Sequence, residues 1–281
     1  MRLIVVSGLS GAGKSIALGV LEDSGYYVVD NLPATLLTGV VDYLRAAGHV
    51  RVGVSVDARS AALASLADHV ASLRGCGIDC SVIFLQASDE TLLRRYSETR
   101  RRHPLSGELT LAEAITRERA MLEPLAGLGH RVDTTDTPAK ALRNWIRELI
   151  GAEPQTRTLL FESFGYARGI PLDADWVIDA RMLPNPHYDA ALRPLTGRDA
   201  PVIAYLEAQE QVQRFLGDVR AFLERWLPEV ERDNRSYLTV AVGCTGGRHR
   251  SVYLAERLAA AFRGRWSVLV RHRGLAAQDD A

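Results

Sequence analysis

Short apolar runs rich in β-branched residues alternate along the chain with longer stretches whose apolar positions recur every third or fourth residue. In the first half the short runs lie near Leu3–Ser7, Tyr26–Asp30, Arg51–Asp57, Ser81–Gln86 and His130–Thr134, which predicts five strands with helices between them. The first helix is expected over Lys14–Ser24, where Ile16, Val20 and Leu21 share a face and Gly25 permits the left-handed turn that ends it. Around Gly151-Ala152-Glu153-Pro154-Gln155-Thr156 the helical pattern gives way to small and polar residues, which places a domain boundary there. The second half restarts, with strands expected at Thr158–Glu162, Trp176–Asp179, Leu238–Gly243 and Trp266–Val270, and helices at about Glu207–Trp226 and Ser251–Phe262. Such alternation builds parallel sheets covered by helices on both faces, with ligands held at the carboxyl ends of the strands. The expected fold class is therefore α/β in two units, residues 1–152 and 157–281.

The first strand runs into Gly8-Leu9-Ser10-Gly11-Ala12-Gly13-Lys14-Ser15, which fits G-x-x-x-x-G-K-[ST] between a strand and a helix. Glycines let backbone N–H groups close around a polyphosphate, and the helix N-terminus adds its positive end. Lys14 can reach the β- and γ-phosphates and the Ser15 hydroxyl can ligate Mg²⁺. An ordinary glycine turn explains neither the Lys-Ser pair nor the flanking strand. Of 34 basic residues only Lys14 and Lys140 are lysines, so a chain that otherwise uses arginine places a compact charge here. The N-terminal half thus reads as a P-loop kinase-like sheet that cradles a polyphosphate through Gly8, Leu9, Ser10, Gly11, Ala12, Gly13, Lys14 and Ser15.

Asp30 closes the second strand and Asp57 the third, in Asp57-Ala58-Arg59-Ser60. Either carboxylate can hold Mg²⁺ or its water beside Ser15, or simply cap the next helix. Farther on, Leu92 to Leu105 carries five arginines and breaks before Pro104. In a phosphate-binding domain this reads as a lid, with Arg94, Arg95 and Arg100 closing over the phosphates; the alternative is a solvated basic face.

A second phosphate loop follows the strand Tyr237–Gly243, in Cys244-Thr245-Gly246-Gly247-Arg248-His249-Arg250-Ser251. Thr245, Gly246 and Gly247 offer close backbone, and His249, Arg250 and Ser251 offer charge and donors at a helix start. The C-x-x-G-x-x-R-S spacing also matches cysteine-dependent phosphatases, with Cys244 as nucleophile, but Gly243 stands where those enzymes usually have histidine. The loop Asp179 to Asp189, fixed by Pro184 and Pro186, is placed to form the other wall of this pocket. From Thr245 to Arg273 seven arginines face one acid, Glu256, and Arg263, Arg265, Arg271, His272 and Arg273 are candidate RNA contacts; an ordinary basic helix face is the alternative.

Composition adds few constraints. The 281 residues carry a formal net charge of +0 and are 47% hydrophobic and 24% charged, which gives no global pull toward nucleic acid or membrane. Three cysteines make no disulfide framework and no convincing zinc set. No apolar run approaches the roughly 18 residues of a membrane span and no leader precedes Leu3, so a cytoplasmic protein is expected.

Taken together, the P-loop, Val29-Asp30-Asn31-Leu32-Pro33, Arg94-Arg95-Tyr96 through His103-Pro104-Leu105, Phe161 to Tyr166, Leu183 to His187 and Gly243 to Tyr253 resemble the RapZ/YvcJ family. The resemblance implies a regulatory nucleotide-binding protein with ATPase and GTPase activity, using ATP, GTP and Mg²⁺, in which Gly8–Ser15 contacts ATP and Asp57-Ala58-Arg59-Ser60 contacts GTP. It also implies an RNase-adapter-like C-terminal domain that senses a phosphorylated amino sugar through His187, Thr245, Gly246, His249, Arg250 and Ser251, binds RNA or a regulatory protein, and forms homo-oligomers. Two departures stand out. Gln86 follows Phe84-Leu85 where the family has an acid, which leaves the Mg²⁺ partner to Asp30 or Asp57, and the tail Gln278-Asp279-Asp280 is acidic where adapter members are basic. A small-molecule P-loop kinase and a Cys244 phosphatase are the rival functions.

Overall fold

A computed structural model describes residues 1–60, 63–151, 158–232, 237–264 and 266–276. The expected linker after Gly151, Arg265 and the acidic tail lie outside the described residues. Contacts divide the chain into two compact units, Met1–Pro154 and Gln155–Ala281.

The first unit runs β1 (Arg2–Gly8), α1 (Lys14–Asp23), β2 (Tyr27–Val29), α2 (Leu37–Ala46), β3 (Arg51–Ser55), α3 (Leu66–Gly75), β4 (Asp79–Gln86), α4 (Asp89–Thr99), α5 (Leu111–Ala126), β5 (His130–Asp133) and α6 (Ala139–Gly151). Its sheet has the order β2-β3-β1-β4-β5, and every neighbouring pair is parallel. β1 is the middle strand, with Arg2 opposite both Arg51 and Asp79. Its run Leu3-Ile4-Val5-Val6 is buried on both faces, as an unbroken apolar sequence in a central parallel strand requires. Because the chain leaves β1 for one side and returns to fill the other, the carboxyl end of β1 opens at the reversal, where a ligand crevice forms. α4 ends at Thr99 with Arg100 in the left-handed region (φ 51), ahead of Pro104 as expected. α5 then starts from a capping box: Thr110 Oγ1 accepts from the Glu113 N–H while the Glu113 carboxylate accepts from Thr110.

The second unit runs β6 (Thr158–Gly165), β7 (Trp176–Asp179), α7 (Ala200–Glu207), α8 (Glu210–Arg232), β8 (Tyr237–Cys244), α9 (Arg250–Phe262), β9 (Ser267–His272) and the single turn α10 (Arg273–Ala276). Its all-parallel sheet has the order β7-β8-β6-β9. Leu159, Phe161, Val240 and Val242 of the strands pack with Leu223 and Leu227 of α8 and Leu254, Leu258 and Phe262 of α9. The helix expected over about Glu207–Trp226 forms as α8, beginning at Glu210 and running on to Arg232, and the shorter α7 precedes it across Ala208-Gln209, with Leu206 and Val212 joining the same core.

Candidate functional site

Three glycines shape the loop between β1 and α1. Gly8, Gly11 and Gly13 have φ of 128, 84 and 107, values that L side chains rarely adopt. At Gly8 a Cβ would also lie 2.0 Å from the Leu85 carbonyl oxygen, so the loop leaves β1 hard against β4. Gly13 is the N-cap of α1 and no side chain caps it, which leaves the helix start facing the loop as an anion seat. Lys14 Nζ donates to Gly8 O at 2.7 Å, folding the ammonium over the loop, while Ser15 is exposed beside it. Burial pulls the Lys14 pKa below its ordinary value, and the opposing fields of Glu118, Asp57 and Asp30, in that order, limit the fall.

Two of those carboxylates are the ones expected to serve Mg²⁺. Ser55 Oγ donates to Asp30, and Asp57 accepts from Arg59 Nε at 3.0 Å and Nη2 at 2.7 Å. Asp57 is buried and Asp30 exposed; both act on the charge of Lys14, so Asp57-Ala58-Arg59-Ser60 lies beside the phosphate loop. The Ser60 hydroxyl accepts from the Ala34 N–H at 2.6 Å. Hydroxyl and carboxylate oxygens are the donors Mg²⁺ prefers, and it is usually held by one or two carboxylates together with the phosphates it accompanies. Among the described residues no cluster of three or more His, Cys, Asp or Glu is grouped to hold a metal ion. Gln86 is buried at the end of β4 and its carbonyl accepts from Thr134 N–H at 2.8 Å.

The three lid arginines do not act alike. Arg94 is exposed and pairs with Asp136 at 2.8 Å. Arg95 turns inward, donating to Gly11 O at 3.0 Å and to Thr134 O at 2.7 Å, so it braces the phosphate loop from the side. Arg100 is exposed at the end of α4. The structure therefore does not bring Arg94, Arg95 and Arg100 together over the loop, because Arg95 is occupied by backbone carbonyls. Two residues with no expected role join the site instead: Thr134, whose Oγ1 donates to Ala12 O at 3.0 Å, and Glu118, which binds Ser10. Glu118 had a signal in the sequence, an acid on the buried stripe Ile115, Leu122 and Leu125 of α5.

In the second unit the loop after β8 sits against the end of β6. Gly247 has φ 72, and a Cβ there would lie 2.6 Å from the Gly165 nitrogen. Thr245 and Gly246 are exposed at the mouth with His187, while His249, Arg250 and Ser251 are buried beneath. Arg250 Nη1 donates to Arg181 O at 2.8 Å and Leu183 O at 2.9 Å, and Nη2 to Thr245 Oγ1 at 3.3 Å, so one guanidinium ties the proline loop to the phosphate loop. The His187 and His249 rings stand 6.4 Å apart. Burial lowers the His249 pKa, with Arg248 and His187 adding to the fall. The two walls expected from the sequence do meet. Cys244 is buried, with its sulfur 3.2 Å from Ser251 Oγ, and the Arg250 guanidinium is engaged by the Arg181 and Leu183 carbonyls.

The expected RNA contacts separate by burial. Arg263 is exposed at the end of α9. Arg271 is enclosed with Glu162 at 3.4 Å and Asp173 at 3.6 Å, and His272 lies between Ser163 and Glu256. Arg271 and His272 are thus mostly enclosed within the unit, Arg271 paired with buried carboxylates that a lone charge in the interior would otherwise penalise. Arg273, half-buried, opens α10, and Arg265 lies outside the described residues.

Residues 1–154 match the family model described as the RapZ-like N-terminal domain, and residues 157–276 match that of the RapZ C-terminal domain. A nucleotide-binding protein of Methylobacillus flagellatus is 59% identical over 277 residues, spanning 98% of this chain and 99% of that protein. One of Thiobacillus denitrificans is 57% identical over 277 residues, spanning 98% and 100%. Among solved structures, a shikimate kinase from Acinetobacter baumannii in complex with shikimate is 19% identical over 53% of this chain and 92% of that one, with a TM-score of 0.39.

Proposed function

The chain belongs to the RapZ family, and from that membership we propose that it is a regulatory nucleotide-binding protein that takes up ATP and GTP at Gly8–Ser15 and hydrolyses them slowly. One observation carries the reading: an uncapped helix start, three left-handed glycines and the Lys14 ammonium converge at the carboxyl end of the central strand. Close relatives named as nucleotide-binding proteins support it. On binding, Lys14 exchanges Gly8 O for phosphate oxygens, and the loop amides stabilise charge on the β- and γ-phosphates. Mg²⁺ would be held by Ser15 with Asp30 or Asp57 and would neutralise phosphate charge. With Gln86 in place of an acid at the end of β4 and Asp57 engaged by Arg59, little carboxylate is left to orient an attacking water, which is why turnover is expected to be slow. Asp57 to Ser60 flanks the same loop, so ATP and GTP compete for one site.

The second cradle, His187 with Thr245, Gly246, Gly247, His249, Arg250 and Ser251, would hold a phosphorylated amino sugar. The phosphate sits at the start of α9 and the sugar faces the exposed His187. RNA or a regulatory protein partner is the output, with Arg263 the outward cation of the expected RNA set, and assembly as a homo-oligomer completes the reading.

Calorimetry with ATP and GTP tests the first cradle. Lys14→Ala should weaken both by about a hundredfold, as loss of a charge-assisted contact does. Unchanged affinity rejects the reading. Labelled γ-phosphate should appear as free phosphate; its appearance on a small molecule would make the protein a kinase instead.

A further inference from the structure

Beneath the phosphate loop lies a buried polar cluster that the nucleotide chemistry leaves unexplained. Glu118 of α5 is wholly buried, and both its oxygens are engaged. Oε2 accepts from the Ser10 N–H at 2.9 Å and lies 3.1 Å from His103 Nε2, and Oε1 accepts from Ser10 Oγ at 2.7 Å. His103 belongs to the connection between α4 and α5. Its Nδ1 accepts from the Leu105 N–H at 3.1 Å, so the ring proton must sit on Nε2 and point at Glu118. The Tyr96 ring packs 5.3 Å from His103 and closes the cluster against Gly11.

The rest of that connection is loosely held. The remaining hydrogen bonds of residues 101–109, among the described residues, stay inside the loop: Ser106 N–H and Oγ to His103 O, and Leu109 N–H to Ser106 O. An open pocket of about 410 Å³ is lined by Tyr96, Arg101, Arg102, His103, Ser106 and Leu109 among others. Among the described residues, the His103 side chain is therefore the hydrogen-bonded tether between residues 101–109 and the body of the unit, and it ends on the carboxylate that grips the phosphate loop.

We propose that His103 and Glu118 form a latch that makes lid position and phosphate-loop geometry one conformational unit, with Glu118 a positioning residue that acts through Ser10. With the latch made, Ser10 is fixed by two bonds and Gly11 to Gly13 inherit its placement; with the lid lifted, Glu118 loses one partner and the loop is free to relax. Arg101 and Arg102, two exposed arginines of the same connection, are carried by this tether, so an anion that draws them in tightens the loop. The effect on nucleotide binding rests on the function proposed above; the latch itself does not.

Residue-resolved amide exchange on the full chain without nucleotide reads the latch directly. His103→Leu should speed exchange at Leu105 and also at Ser10, two links away, each by about tenfold. His103→Gln, which can still donate to Glu118 and accept from Leu105, should restore both. An unchanged Ser10 rate in His103→Leu overturns the proposal; should that variant fail to fold, a Ser10 rate in His103→Gln no slower than in His103→Ala overturns it equally. For ATP affinity, His103→Leu and Ser10→Ala should each weaken binding by about tenfold, and the double variant by no more than the worse single. Multiplying effects would mean two independent contacts and no latch. If the unmodified chain takes up no ATP, the nucleotide reading falls and the exchange measurement decides the latch alone.

Discussion

Single residues carry definite stakes here. Gly8 combines a φ of 128 with a neighbouring carbonyl 2.0 Å from any Cβ, so Gly8→Ala must shift β1 or β4. Urea unfolding of the first unit should show a loss of about 3 kcal/mol or more. Arg271 pairs with both Glu162 and Asp173 inside the second unit, and Arg271→Ala removes that cation from the pair. A loss of about 3–5 kcal/mol is expected. Any drop in RNA affinity should follow the unfolded fraction, whereas Arg263→Ala, on the surface, should change RNA affinity and leave unfolding alone. His272 gives a pH signature: burial holds its pKa below the ordinary 6.5 despite Glu256 beside it. The folded unit therefore binds this proton less readily than the unfolded chain, and its stability is complete above pH 6.5 and declines as pH falls below it. His249 is lowered in the same sense. Denaturation midpoints between pH 7.5 and 5.5, roughly, should fall in the parent and fall less in His272→Gln; equal slopes would show that His272 does not titrate with folding.

At the scale of elements, the chain was most legible where backbone chemistry leaves a local mark. The apolar runs place all nine described strands, and Gly8 to Ser15 announces a loop whose glycines do adopt left-handed φ. Partnerships across the sheet left no such mark. Nothing local says that Arg95 turns to Gly11 O or that Arg271 is interior, because each depends on what folding brings opposite. Glu118 is intermediate: its place on an apolar stripe signals a buried acid, but only the structure names Ser10 and His103 as its partners. α5 has to be firm to present that carboxylate, and its firmness begins at the capping box. Thr110→Ala should cost about 1 kcal/mol in the first unit, and amide exchange should show the first turn of α5 fraying before the helix loses Glu118 from its place.

Across the whole chain the two units use one architecture in two ways. Each has an all-parallel sheet in which the first strand lies between the third and the fourth: β2-β3-β1-β4 in one and β7-β8-β6-β9 in the other. The first unit puts its phosphate loop after its first strand, and the second after its third, β8. Both choices lie at carboxyl strand ends next to the same sheet centre, which is where amide dipoles and helix starts converge on an anion. The first cradle offers a lysine that can leave Gly8 O for a phosphate, whereas the second offers an arginine already committed to Arg181 O and Leu183 O. On the function proposed above, the first would take a highly charged ligand that displaces its own capping contact, and the second a monoester recognised by a rigid frame. Calorimetry with ATP and with a hexosamine phosphate separates them: Lys14→Ala should weaken uptake of the nucleotide by about a hundredfold and leave that of the sugar phosphate intact, and Arg250→Lys should weaken the sugar phosphate and spare the nucleotide, because a lysine cannot span both carbonyls and Thr245. Loss of both ligands in either variant, with both units still folded, would mean a single shared site and would overturn the assignment of one anion to each sheet.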